Sequence, residues 1–207
     1  MLMNTHTLST AHRNGKLLVS LLLTFCAGHL FAQEKADVEK SARDGWVTDF
    51  EVAKKTAAAE GKDLLLEFTR SEGCGWCIKL EKEVFAQDAF KKQVPKDYVL
   101  VKLEFPRDKE LPADLKKQNS HLFKHYGVRG FPYMVLCDPT GRPYAGMTYR
   151  NSKLDRFLKN LASIRERRNL RDQAIAEAKD LEGEPKARML EKALSSISSR
   201  HHLHYAE

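Results

Sequence analysis

The sequence predicts an α/β domain followed by a pair of helices. Three observations carry that expectation. Short apolar runs alternate with helix-periodic segments between Trp46 and Leu161. Two cysteines three positions apart, Cys74 and Cys77, stand where an apolar run gives way to a helical pattern. From Ile164 onward the composition shifts to Arg, Glu, Ala, Lys and Leu, with Gly183-Glu184-Pro185 as an interruption.

The chain has 207 residues, enough for one domain and an appendage, and is 42% hydrophobic, enough for a sizeable core. Its first stretch is of another kind. Arg13 and Lys16 precede the apolar run Leu17 to Ala27, which is short for a membrane span, and Leu30-Phe31-Ala32 offers a small-residue cleavage site. Residues 1–32 therefore read as a secretory leader, an uncleaved anchor or a lipidated Cys26 being the alternatives. The mature protein is expected to be periplasmic or secreted, with membrane contact only through the leader. Loss of Arg13 and Lys16 lowers the net charge from +7 to +5. The cations are interspersed with acids rather than set in a stripe with aromatics, which argues against a nucleic-acid partner. Residues 33–44 are polar and read as a linker, 45–162 as the α/β domain and 163–207 as a helical extension.

The elements follow in order. Asp49 can cap a helix running to Glu60 whose face carries Phe50, Ala53 and Ala57, and Gly61-Lys62 ends it. Leu64 to Phe68 is a continuous apolar run interrupted by Glu67, the pattern of a buried central strand. Ile78 to Phe90 reads as one helix, closed by Pro95, and Tyr98 to Leu103 as a strand. Glu104 to Pro112 is a loop, Ala113 to Tyr126 a helix ending at Gly127, and Tyr133 to Cys137 a strand. Asp138-Pro139-Thr140-Gly141 is a turn leading to a hairpin partner, Arg142 to Thr148. Ser152 to Leu161 is the last helix of the domain, with Leu154, Phe157, Leu158 and Leu161 inward. The extension should then form two helices meeting through Ile175, Ala178, Leu181, Met189, Leu190, Ala193, Leu194 and Ile197.

The chemistry lies in Gly73-Cys74-Gly75-Trp76-Cys77. The first turn of a helix brings two cysteines at this spacing together. The partial positive charge of the helix start favours a thiolate at the first of them, so Cys74 is expected to be reactive and Cys77 its more buried resolving partner. Arg70 would favour that thiolate and Glu72 oppose it. His121 and His125, four apart on a helix, would permit a shared metal, but nothing nearby completes a site; an ordinary helix face is expected. Cys137 is expected to be a small buried apolar residue, and His201-His202-Leu203-His204 a solvated terminus.

Taken together, the carboxylate-bearing strand end Glu67-Phe68, the Cys74-Gly75-Trp76-Cys77 motif and Gly127-Val128-Arg129-Gly130-Phe131-Pro132 resemble the thioredoxin superfamily. The closer likeness is to exported bacterial thioredoxin-like proteins with a Cys-Gly-Trp-Cys site. The resemblance runs from Trp46 to Leu161. It implies a three-layer fold with a central mixed sheet, and a thiol-disulfide oxidoreductase with catalytic Cys74, Cys77 and Glu67. Glu67 would lie below the cysteine pair and accept the proton of Cys77, the alternative being a solvated or ion-paired carboxylate. It stands seven residues before Cys74, one more than in thioredoxin, so the intervening turn is longer. The resemblance also implies a cis peptide bond at Pro132, facing the cysteine pair and leaving the Phe131 backbone ready to pair with an extended substrate; Trp76, between the cysteines, would add an apolar platform for a partner chain, packing against the turn being the alternative. No cofactor and no metal are implied. The implied partners are a disulfide-bearing protein substrate and a separate electron-donor or acceptor protein. Likeness to reducing-pathway domains favours reduction. A binding or adaptor module with a structural Cys74–Cys77 disulfide is the second possibility, metal carriage a third.

Overall fold

In a computed structural model the described residues are 42–43 and 45–205. The expected leader, and the linker up to residue 41, lie outside them. The end of the expected linker is not a linker: Ala42–Arg43 form a short strand, β1, paired antiparallel with β2, Trp46–Val47. No helix among the described residues is long and apolar enough to cross a membrane.

The Asp49 side chain accepts from the Val52 N–H at 2.9 Å and opens α1, Phe50–Glu60, which Gly61 closes in the left-handed conformation. The inward residues are Phe50, Ala53 and Ala57, as the spacing predicts. The chain then enters β3, Asp63–Thr69, in which every residue is buried. Burial on both sides follows from its position: β4, Tyr98–Glu104, runs parallel on one side and β5, Tyr133–Cys137, antiparallel on the other. With β6, Pro143–Thr148, the sheet has the order β1-β2-β4-β3-β5-β6, a mixed sheet with β3 inside it.

Because side chains alternate along a strand, β3 feeds two separate cores. Leu64, Leu66 and Phe68 face α1 and α4, Ala113–His125. Leu65 faces the opposite layer, where Leu80, Val84, Phe85, Phe90, Phe157 and Leu161 pack. Glu67 and Thr69 share the parity of Leu65. The single polar residue within the apolar run thus lies on the second face.

Two helical expectations are corrected. The helix expected from Ile78 to Phe90 is divided. After α2, Gly75–Leu80, the helix widens into a π segment, Glu81–Phe85, with Ala86 N–H bonded to Glu81 C=O at 2.8 Å. A new helix, α3, starts at Asp88 and ends at Gln93, and Pro95 lies in a 3₁₀ turn, Val94–Lys96. The widened turn lets both Val84 and Phe85 be buried. At the C-terminus no break separates domain from extension: α5 runs unbroken from Leu154 to Ala178, and α6 follows, Gly183–Ser195. Phe157 and Leu161 point inward as expected, and Ala178, Ala193 and Ile197 are buried, but Ile175 and Leu190 are exposed. The buried face of α5 is Phe157, Leu161, Ile164, Ala174 and Ala178 with Arg171 among them, and arginines fasten it further. Arg168 pairs with Asp63 at 2.9 Å, Arg165 with Asp97 at 3.2 Å, and buried Arg171 reaches Asp172 and Asp138.

Candidate active site

The chain leaves the C-terminal end of β3 through Arg70 to Gly73 and turns into α2 at Cys74. Cys74 is the N-cap: its Sγ accepts from the Cys77 N–H at 3.2 Å, and its carbonyl accepts from Ile78 N–H at 3.1 Å. Cys74 and Cys77 are disulfide-bonded, with Cα atoms 5.3 Å apart. Cys74 is half-buried and Cys77 is buried. Of the two, Cys74 is the more exposed residue.

Beneath α2, on the sheet face that this helix covers, sits Glu67. It is 1% exposed, and its Oε2 has no hydrogen-bond partner. Burial pushes its carboxyl up to about 7, against the pull of Lys102 and a hydrogen bond from Thr69. Lys102 is its register partner on β4 and pairs with Glu81 at 3.3 Å. Glu67 is a buried acid rather than a solvated one at a sheet edge.

The Phe131–Pro132 peptide bond is cis. β5 begins opposite the end of β3, with Phe68 facing Tyr133 in register. The Gly-Phe-Pro turn thus lies at the same end of the sheet as the chain leading to Cys74. Pro132 is buried and Phe131 half-buried, its ring 5.0 Å from Phe105 and 5.6 Å from Phe123. Trp76 is 53% exposed, held edge-on by Tyr149 at 6.4 Å with Lys79 over its ring at 5.6 Å. Tyr149 is in turn fixed by donating its hydroxyl hydrogen to Glu83. Ile78 beside it is equally exposed. An oriented, water-facing indole next to a disulfide offers apolar contact at low ordering cost.

The charges expected to act on Cys74 are engaged elsewhere. Arg70 donates to the Phe105 carbonyl at 3.2 Å, and its guanidinium lies over the Phe131 ring at 4.9 Å. Glu72 pairs with Lys109 at 3.5 Å and accepts from Asp108 N–H at 3.4 Å. Instead, a side chain from the loop after β4 reaches the motif. Arg107 folds over Gly73, where an added Cβ would meet its Nη1 at 3.5 Å.

Four residues around the site were missed by sequence reasoning. Lys102 had a signal, being the one charge inside a strong apolar strand. Glu104, which accepts from the N–H and the hydroxyl of Ser71 at 2.6 Å each, had none, nor had Arg107 or Tyr149. Their roles arise from loops meeting across the sheet end.

The histidines are not at this end of the site. His121 and His125 stack at 5.9 Å, and His204 meets His125 at 4.9 Å. No group of three or more His, Cys, Asp or Glu suited to a metal exists among the described residues. His201 is not solvated as expected: it is 1% exposed, with both ring nitrogens unpartnered, and burial pushes it down to about 4. Cys137 is buried, as expected, and burial raises its thiol well above its ordinary range.

Sheet order, cysteine placement and the cis-proline turn together define a thioredoxin fold. Residues 50–162 match the family of thioredoxin-like domains, more than half of the chain, and the protein belongs to that family. Among known proteins it is similar to the disulfide bond reductase DsbH of Chlamydia pneumoniae, 32% identical over 88 residues, which is 42% of this chain and 53% of DsbH. It is also similar to the thioredoxin-related protein DsbJ of the same organism, 28% identical over 121 residues, 58% of this chain and 34% of DsbJ. The matches thus span about half and about a third of these relatives. A solved structure of the oxidoreductase DsbH overlays with a TM-score of 0.55 at 26% identity, covering 59% of this chain and 85% of that one.

Proposed function

We propose that the protein is a thiol-disulfide oxidoreductase working in the reducing direction on disulfides of exported proteins. The observation that carries this reading is a half-buried cysteine capping a helix, bonded to a buried one, over a sheet face holding a carboxylic acid poised near pH 7. A structural disulfide needs no such acid.

In the reduced protein, the Cys74 thiolate attacks one sulfur of a substrate disulfide. That disulfide breaks, the leaving sulfur takes a proton, and a mixed disulfide joins Cys74 to the substrate. Glu67 accepts the Cys77 proton, and the Cys77 sulfur attacks Cys74 Sγ. The second substrate sulfur leaves as thiolate, and two electrons have passed from protein to substrate. A separate electron-donor protein then reduces Cys74–Cys77. Trp76, Phe131 and Pro132 form the surface on which an extended substrate segment lies. Residues 1–32 act as an export leader, so this chemistry takes place outside the cytoplasm. The likeness to DsbH, named a disulfide bond reductase, supports the direction.

The test is the reduction potential of the pair in glutathione buffers, read by Trp76 fluorescence, alongside disulfide reduction by Cys74→Ser. A potential toward the thioredoxin value of about −270 mV supports a reductase, and one near about −120 mV overturns the direction. Cys74→Ser should reduce no disulfide. Absence of any reversible two-electron transition would overturn the enzyme reading as a whole.

A further inference from the structure

The turn before Cys74 is built jointly with a loop from the far side of β4. Phe105 N–H bonds to Thr69 C=O at 2.9 Å, Ser71 is held twice by Glu104, and Glu72 is held by Asp108 and Lys109. This clasp fixes the segment Phe105 to Lys109 against the lead-in to the motif. It also brings Arg107 across Gly73, the residue joined directly to Cys74. Gly73 has φ +72°, a conformation that favours glycine, and it has no side chain to keep the guanidinium away: Nη1 and Cζ would stand 3.5 Å and 3.8 Å from a Cβ there.

Arg107 is exposed, and no ion pair joins it to another described residue. The two nearer candidates are spent: Arg70 on the Phe105 carbonyl and the Phe131 ring, Glu72 on Lys109. Lys79, on α2 itself, lies over Trp76 and pairs with Glu83 at 3.7 Å.

We propose that Arg107 is a positioning residue for Cys74: its guanidinium, laid over Gly73, favours the thiolate of the attacking sulfur. This rests on Cys74 being the attacking sulfur. A cation beside a thiol favours the charged form and raises its reactivity near neutral pH. Because Arg107 is exposed, the effect is modest and is screened by salt.

The experiment is the pH dependence of alkylation of the fully reduced full-length chain by iodoacetamide. Single carbamidomethylation at Cys74 is followed by mass spectrometry, with Cys74→Ser as the control for the reacting sulfur. Arg107→Gln should move the alkylation midpoint to higher pH and slow the rate at neutral pH about threefold, the size expected of an exposed charge pair. Arg107→Lys should restore most of the rate. In ~1 M salt, where the screening length falls to about 3 Å, wild type and Arg107→Gln should converge. Equal midpoints for wild type and Arg107→Gln at low salt would overturn the proposal. So would a difference that persists at high salt or is not rescued by lysine, since either marks loop packing rather than charge. The assay is independent of turnover: an Arg107-dependent midpoint in a protein that reduces no disulfide would leave this inference standing and remove the proposed function.

Discussion

Asp63 and Glu67 lie four residues apart on β3, on the same face, and both are buried, yet the structure treats them in opposite ways. Asp63 stands where the strand begins. It accepts from Tyr144 Oη at 3.0 Å and from Arg168 Nη2 at 2.9 Å, the latter carried by α5 from 105 residues away. Glu67 stands near the other end, under α2, and keeps one oxygen without a partner. Burial raises the pKa of both. At Asp63 the rise is opposed first by Arg168, while at Glu67 it reaches about 7. The same strand thus carries one carboxylate satisfied for structure and one left short of partners. A buried charge is stabilising only when paired, and an unpaired one holds its proton instead. The difference divides the molecule into an end that is fastened by the long C-terminal helix and an end that carries the Cys74–Cys77 disulfide.

The sharpest way to break this contrast is Arg168→Leu. It strands the Asp63 carboxylate at 4% exposure and should cost about 4 kcal/mol in urea denaturation, while leaving the pH profile of the thiol chemistry unchanged. Unchanged stability would mean that α5 does not fasten the sheet through this pair.

Glu67→Gln tests the other end, and its sign is opposite. The folded carboxyl keeps its proton up to about pH 7, whereas the unfolded one loses it near 4.5. Between these values the folded state binds more protons, so stability falls as pH rises through that window, and the whole cost is present above it. Gln removes that cost and should stabilise the protein on the order of 3 kcal/mol at pH 8, with little gain at pH 4. It should also slow resolution of the mixed disulfide and abolish the rise of that step through about pH 7, measured by quenched-flow trapping. A variant with no pH-dependent gain would show that Glu67 is not the group left uncompensated.

Tyr144→Phe removes one of the two hydrogen bonds on Asp63 and should cost about 1 kcal/mol, again without effect on the thiols. Trp76→Ala should change stability least, within about 0.5 kcal/mol, because the indole is half exposed. Its effect should fall on KM for protein substrates and spare small disulfides.

Much of the fold is legible in the residues. Asp49 and Gly61 bracket α1, Leu64 to Phe68 marks the central strand, and Cys74 and Cys77 sit at a helix start because their spacing suits its first turn. The C-terminal region was harder. Apolar spacing pointed to Ile175 and Leu190, but the buried face of α5 is Phe157, Leu161, Ile164, Ala174 and Ala178 with Arg171 among them, and Arg165 and Arg168 beside that face pair with aspartates at the sheet end. The π segment at Glu81–Phe85 leaves no sequence signature either, since it is set by where Val84 and Phe85 must pack.

The sequence by itself determined the local chemistry: which cysteine caps a helix, which strand is buried on both faces, and which carboxylate interrupts it. These follow from spacing within a few residues, where backbone geometry leaves little choice. Tertiary structure alone decided the electrostatics: that Glu67 keeps an unpartnered oxygen while Asp63 is paired, that Arg70 and Glu72 are engaged by other partners, and that Arg107 lies over Gly73. Charge and burial depend on what packs alongside, and here the neighbours arrive from as far as 35 residues away at Arg70 and 105 at Asp63.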